Sequence, residues 1–189
     1  MKTILAAAMA LLVAVPTLAN TVVINGDTTD GPTYNRTLAG EPPTGLSAIG
    51  TDVHYQTTAF TVGSDGVYDF NSIAGYDNFL HLYAGSFDPA DALANALVGN
   101  DDRAVIGISG FAISLLAGTS YFAVASGFEN TDFGAYELTI DGPGTISIGG
   151  DGGTVPEPAS WALMITGFGA VGVGLRRRRA TEHQAAVPA

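Results

Sequence analysis

The clearest strand pattern in the chain is His54-Tyr-Gln-Thr-Thr-Ala-Phe-Thr-Val62, followed by Gly63-Ser-Asp-Gly66 and Val67-Tyr-Asp-Phe-Asn-Ser-Ile73. Its two outer runs alternate apolar and polar residues and are rich in β-branched and aromatic side chains, which favours strands. The four central residues tolerate the backbone angles that a tight connection needs. The stretch therefore predicts a β-hairpin.

The same alternation, bounded by glycine and aspartate, recurs along the chain. It predicts further strands at 21–24, 79–84, 104–108, 111–115, 121–126, 135–140 and 145–148, whereas residues 27–50 resemble a loop. The region between residues 20 and 148 contains no long apolar repeat with a period of 3.6 residues. Eight or nine short strands predict an all-β domain, a two-sheet jelly-roll-like β-sandwich.

The C-terminal forty residues have a different character. Val155-Pro156-Glu157-Pro158-Ala-Ser-Trp161-Ala162 leads into an apolar run, which ends at Arg176-Arg177-Arg178-Arg179. Residues 159–175 number 17, about the lower limit for a helix that crosses a membrane. Trp161 suits one interface and the arginines suit the cytoplasmic one, which places the rest of the chain outside the cytoplasm. We expect a single C-terminal transmembrane helix.

This combination of motif, Gly-rich apolar helix and basic cluster resembles the PEP-CTERM protein-sorting signal of Gram-negative bacteria, in the variant with Trp161-Ala162 after Pro156-Glu157-Pro158. The resemblance implies recognition by an exosortase, an integral-membrane protease with a cysteine nucleophile. It also implies cleavage near Pro-Glu-Pro and delivery from a transient inner-membrane anchor to the cell surface or exopolysaccharide matrix. A permanent single-span anchor is the alternative interpretation of the same segment.

The N-terminal residues complete the predicted organisation. Lys2, an apolar run and then Pro16-Thr-Leu-Ala19 are typical of a secretory signal peptide cleaved after Ala19. The predicted segments are a signal peptide at 1–19, the β-sandwich ectodomain at 20–148, a Gly-rich linker at 149–154, the sorting signal at 155–179 and a short tail at 180–189. The linker is expected to give a membrane protease access to the cleavage region.

Charge and cysteine content exclude several functions. Residues 20–154 carry 16 acidic side chains but only two basic ones, Arg36 and Arg103, so their net charge is near −14. Such a surface disfavours nucleic acid and anionic lipid as partners. The chain has no cysteine, which excludes disulfides, thiolate metal sites and a cysteine nucleophile.

A second resemblance lies inside the ectodomain. The segments Asp77-Asn-Phe-Leu-His-Leu-Tyr-Ala-Gly-Ser-Phe-Asp88-Pro89, Asn100-Asp101-Asp102 and Leu116-Ala-Gly-Thr-Ser-Tyr121 follow one another as in bacterial pre-peptidase C-terminal domains. The resemblance spans residues 62–144. It implies a β-sandwich module that is generally non-catalytic, and some such modules bind calcium or matrix polymers.

Four aspartates and one asparagine of these segments are the candidate metal ligands. They are Asp77, Asp88, Asn100, Asp101 and Asp102, all in predicted inter-strand loops. Calcium takes six to eight oxygen ligands, which loop carboxylates and amides supply when the loops converge. The alternative is an Asx turn at Asn100 or a solvated acidic edge, because the sequence contains no Asp-x-Asp-x-Asp-Gly loop.

Catalytic signatures are weak. Gly107-Ile-Ser109-Gly-Phe111 lacks the last glycine of a nucleophile elbow, so Ser109 is expected to be a turn serine, and His81 a hydrogen-bonded residue on a sheet face. Tyrosines at 55, 68, 83, 121 and 136 fit core packing by default, or sugar stacking if several share an exposed face. We therefore expect a non-enzymatic surface or matrix protein, with a calcium- or carbohydrate-binding module as the alternative.

Overall fold

The computed structural model describes residues 19–149, which form ten strands and no helix. The strands are β1 (Asn20–Asp27), β2 (Thr33–Tyr34), β3 (Val53–Val62), β4 (Gly66–Ala74), β5 (Asn78–Ala84), β6 (Ala96–Asn100), β7 (Ile108–Leu115), β8 (Ser120–Gly127), β9 (Ala135–Gly142) and β10 (Ile146–Ile148). The predicted all-β class is therefore correct.

The strands form two antiparallel sheets. One has the order β1-β9-β4-β7, and the other has six strands in the order β10-β3-β8-β5-β6 with β2 also paired to β3. If the short strands β2 and β10 are set aside, the chain distributes eight strands between the sheets as a jelly roll does. Successive strands mostly change sheet, and β5 and β6 are an exception because they pair with each other.

The predicted hairpin is wrong, although both of its strands exist. β3 belongs to the six-stranded sheet and β4 to the four-stranded sheet, so residues 63–66 carry the chain from one layer to the other. The Gly63 N–H donates to Thr145 O at 2.8 Å, not across to β4. Phe60 and Phe70 pack against each other across the sandwich, with ring centroids 5.8 Å apart and ring planes tilted by 54°. Alternation predicts which face of each strand is apolar, and it leaves open whether the two strands pair side by side.

Four other local features also differ from the sequence predictions. Residues 104–107 form bends and a turn instead of a strand, because β7 begins at Ile108. β6 was missed since alanine and glycine have low β-propensity, and its pairing with β5 sets its conformation. β2 lies within the predicted loop. Ser109 lies in β7 and is fully buried, so it is not a turn serine.

The main core lies between the sheets. It is built from the inward residues of both layers, with aromatic contacts from Phe60 to Phe70 and Tyr121 and from Phe70 to Phe111. Each fully buried side chain of this size contributes on the order of 2 kcal/mol.

A second, smaller cluster lies on the outer face of the six-stranded sheet. It contains Tyr34, Val53, Tyr83, Ala92 and Val124. Residues 28–52 and the β5–β6 connection cover this face. The predicted loop therefore has a packing role, and it brings Arg36 into the interior.

Within residues 19–149, no helix is long and apolar enough to cross a membrane. The predicted signal peptide up to residue 18, the transmembrane helix and the tail fall outside the described residues, as does the linker beyond Gly149.

Candidate functional site

Three predicted ligands come together at one edge of the six-stranded sheet. Asp77 immediately precedes β5, and Asp101 and Asp102 immediately follow β6. β5 and β6 are antiparallel, with Leu80 opposite Asn100, so the start of one strand lies beside the end of the other. One carboxylate oxygen from each aspartate lies within 4.8 Å of the other two. We call these three residues the aspartate cluster.

The cluster is electrostatically unfavourable by itself. Burial raises the pKa of Asp101 to about 6, with further increases from the charges of Asp77 and Asp102. Burial, then the charges of Asp102 and Asp132, also raise the pKa of Asp77. Within the described chain, the Oδ1 atoms of Asp77 and Asp101 are buried without a hydrogen-bond partner. Such oxygens gain most from a cation or from protonation.

Arg36 is a buried positive charge that acts electrostatically on this cluster. Its side chain is only 2% exposed, and its guanidinium donates to Phe128 O at 2.8 and 3.0 Å and to Thr37 O at 3.0 Å. It also lies 4.2 Å from the ring centroid of Phe79. Its charge lowers the pKa of Asp77 and Asp101, but among the described residues it forms no ion pair with a carboxylate. One positive charge faces three carboxylates, which leaves an excess that suits a divalent cation.

The other two predicted ligands are placed elsewhere. Asp88 follows the far end of β5, and its Oδ1 accepts a hydrogen bond from Ala90 N at 2.9 Å. Asn100 Oδ1 accepts from Gly110 N at 3.0 Å and so ties β6 to β7. Three of the five predicted ligands therefore lie together, and the other two, Asp88 and Asn100, form local structural hydrogen bonds.

Sequence analysis missed two acidic residues that act on the cluster. The charges of Asp132 and Glu129 both raise the pKa of Asp77. They belong to the β8–β9 connection, more than fifty residues further along the chain, and no local motif marks them. Asp132 Oδ2 accepts a hydrogen bond from Glu129 N at 2.8 Å, which orders this loop.

His81 and most of the tyrosines have structural roles. His81 is fully buried, its Nδ1 forms a 3.2 Å hydrogen bond with the Tyr34 hydroxyl, and burial lowers its pKa to about 3, so it is neutral. Tyrosines 68, 83, 121 and 136 are at most 5% exposed, which confirms core packing for them. Within the described residues, the solvent-facing side of the four-stranded sheet carries no aromatic residue. Tyr55 alone of the five tyrosines is partly exposed.

Comparison with family models identifies a sorting motif in the C-terminal part of the sequence. Residues 154–179 match the PEP-CTERM protein-sorting motif, which agrees with the predicted signal at 155–179. The match implies an exported protein that an exosortase sorts at the membrane. The motif residues Pro156, Glu157, Pro158, Trp161 and Ala162 and the arginines 176–179 lie outside the described residues.

Two solved structures are similar to the chain. The pre-peptidase C-terminal domain of the collagenase from Bacillus anthracis is 17% identical, with a TM-score of 0.40, over 64% of this chain and 88% of that one. The K3 cleaved adhesin domain of Lys-gingipain from Porphyromonas gingivalis is 18% identical, with a TM-score of 0.31, over 66% and 91%. Likeness at this level carries no conclusion about ligands. No curated protein matches the sequence.

Proposed function

We propose that this chain is a non-enzymatic surface protein whose β-sandwich is released from the membrane into the cell surface or exopolysaccharide matrix of a Gram-negative bacterium. The observation that carries the proposal is the PEP-CTERM match at residues 154–179. The burial and neutral state of His81, together with the burial of Ser109, support a non-catalytic role.

In this proposal each part of the tail has one task. Trp161 and the four arginines hold the apolar segment across the inner membrane with the sandwich outside. The exosortase recognises Pro156-Glu157-Pro158 with Trp161-Ala162 and cleaves nearby. The described fold ends at Gly149, so six residues separate it from Pro156. A fully extended chain of that length spans at most about 20–25 Å.

Intact mass of the mature protein from its native host tests this processing. We expect a C-terminus near residues 156–159 in the envelope and culture fractions. Alanine in place of Pro156, Glu157 and Pro158 should leave a full-length chain in the membrane fraction. A native protein that retains Ala189 would establish a permanent anchor instead and would overturn the sorting proposal.

We further propose that the aspartate cluster binds calcium. Three carboxylates supply three to six of the six to eight oxygens that calcium takes, and backbone carbonyls and water complete the shell. The two buried oxygens without partners favour this function over a merely solvated acidic edge. We expect a Kd of about 0.1–1 mM, as in extracellular calcium modules. Calcium should raise the unfolding temperature, and magnesium should do so less; no shift with calcium would contradict the site.

A further inference from the structure

Among residues 19–149, no strand pairs with the middle of β3 on one of its two edges. β2 pairs with β3 only at residues 53–54, and β10 pairs with it only at residues 60–62. Just inside these limits, Tyr55 N donates to Pro32 O at 3.0 Å, and Ala59 O accepts from Gly149 N at 2.8 Å. A gap about three residues long therefore remains between the two short strands.

Thr57 presents its main chain to this gap. Main-chain groups of a strand alternate in direction with a period of two residues, and Tyr55 and Ala59 both direct theirs toward the β2 and β10 edge. Thr57 lies halfway between them and points the same way. Among the described residues no strand lies opposite it and its N–H and C=O have no partner, so they can meet a ligand that both donates and accepts hydrogen bonds.

An open cleft of about 380 Å³ surrounds the gap, within the usual size range of small-molecule sites. It is lined by Asp27, Asp30, Gly31, Pro32, Tyr55, Gln56 and Thr57.

Several side chains of the cleft are fixed in advance. Gln56 Oε1 accepts from Asp27 N at 3.0 Å and from the Tyr136 hydroxyl at 3.1 Å, which leaves its Nε2 without a partner among the described residues. Tyr55 packs edge-on against Tyr34, with centroids 4.9 Å apart. Hydrogen bonds from Thr29 lower the pKa of Asp27, so its carboxylate is charged.

These features restrict the ligand. Pro32 and Gly149 flank the gap at its two ends and limit it to about three residues of β3, which favours a compact molecule over a long extended peptide. The carboxylates of Asp27 and Asp30 repel anionic sugars and attract a cation. Sugar hydroxyls both donate and accept, as Thr57 requires, and an ammonium group forms strong charge-assisted bonds with carboxylates.

We propose that this cleft binds a sugar unit that carries a free amino group. The inference rests on the proposed matrix association, for which it supplies a ligand class. It is independent of calcium, because neither Asp27 nor Asp30 belongs to the aspartate cluster.

Calorimetric titration of the purified protein with a glucosamine tetramer at pH 6 tests the proposal, with the N-acetylated tetramer as the matched ligand. The double variant D27N/D30N removes both charges, and asparagine at 27 keeps the acceptor for Thr29 N. Asp91→Asn, an exposed aspartate in the β5–β6 connection, is the control variant. Unchanged unfolding temperatures verify folding, and amide chemical-shift mapping gives a readout that needs no variant.

We expect a Kd below about 1 mM for the glucosamine tetramer, at least tenfold weaker in D27N/D30N, consistent with loss of charged hydrogen bonds. The control should bind as the wild type does, and the shifted amides should include Thr57. Equal affinity for the N-acetylated tetramer, equal binding by D27N/D30N, or no binding would each overturn the proposal. These outcomes leave the mass test of tail processing unaffected, so the two proposals fail separately.

Discussion

Replacing Asp101 by asparagine should stabilise the calcium-free protein and abolish its response to calcium. The carboxylate has a pKa raised to about 6 by burial and by its acidic neighbours, and its Oδ1 lacks a hydrogen-bond partner in the described chain. If Asp101 were fully buried, a pKa of this value would lower the free energy of unfolding of the protein by about 3 kcal/mol at neutral pH. Asp101 is partly exposed, so solvent screening reduces the expected gain in D101N to about 1 kcal/mol.

The sign depends on pH. A carboxylate whose folded-state pKa is raised destabilises the protein above that value, and this cost disappears as pH falls toward the unfolded-state pKa. The advantage of D101N should therefore be largest above about pH 6 and vanish near pH 4.

Thermal unfolding in EDTA and in excess calcium measures both effects. For a domain of this size, 1 kcal/mol raises the unfolding temperature by about 3–5 °C. Calcium at ten to a hundred times its Kd should add about 1.4–2.7 kcal/mol to the wild type and little to D101N. Asp88→Asn is the matched control and should change neither value, since asparagine can still accept the bond from Ala90 N. A lower unfolding temperature for D101N in EDTA, or an undiminished calcium response, would refute the reasoning.

Three further predictions concern the buried framework. His81 has a folded-state pKa of about 3, so the free energy of unfolding should fall as the pH drops below about 6.5, by up to about 1.4 kcal/mol per pH unit. Urea unfolding at several pH values should show this slope in the wild type and its loss in His81→Phe. Arg36→Lys should lower the free energy of unfolding, measured in urea, by about 2–4 kcal/mol, because the buried guanidinium with its fixed set of donors is lost. Arg103→Lys, at the half-exposed ion pair with Asp69, should lower it by less than about 1 kcal/mol. Equal losses in the two variants would contradict this prediction. Gly110→Ala should cost at least about 2 kcal/mol, as its Cβ would lie 2.2 Å from Phe70 O, while Gly75→Ala, with open space around it, should be nearly neutral in the same assay.

Strand positions were readable from the sequence because burial on one face leaves a period of two in the residues. The partners of those strands were not, and β3 and β4 show why. Their apolar faces meet across the sandwich, and the alternation is the same whether two strands pair at their edges or pack face to face. β6 escaped prediction since Ala96-Leu-Val-Gly-Asn100 is held by its neighbour β5 more than by its own propensity.

Locating the candidate sites also requires knowing which strands pair with each other. Residue type nominated Asp77, Asp101 and Asp102, but their proximity follows from the β5–β6 pairing, which also removes Asp88 to the other end of β5. The cleft beside Thr57 lies where no described strand pairs with β3, so no local pattern could reveal it. The sorting motif is different, because its parts are read in linear order along residues 154–179 and need no folded context.

The short pairing of β10 would have a mechanical consequence while the proposed membrane anchor, before its cleavage, holds the C-terminal end of the chain. β10 joins β3 over three residue pairs, whereas β9 pairs with β1 over eight and with β4 over six. Tension transmitted through Gly149 therefore acts first on β10, and its detachment back to Gly142 would release about 23 Å of slack while β9 stays in place. Under tension, the detached β10 segment would thus lengthen the connection to the C-terminal end before the core of the sandwich unfolds.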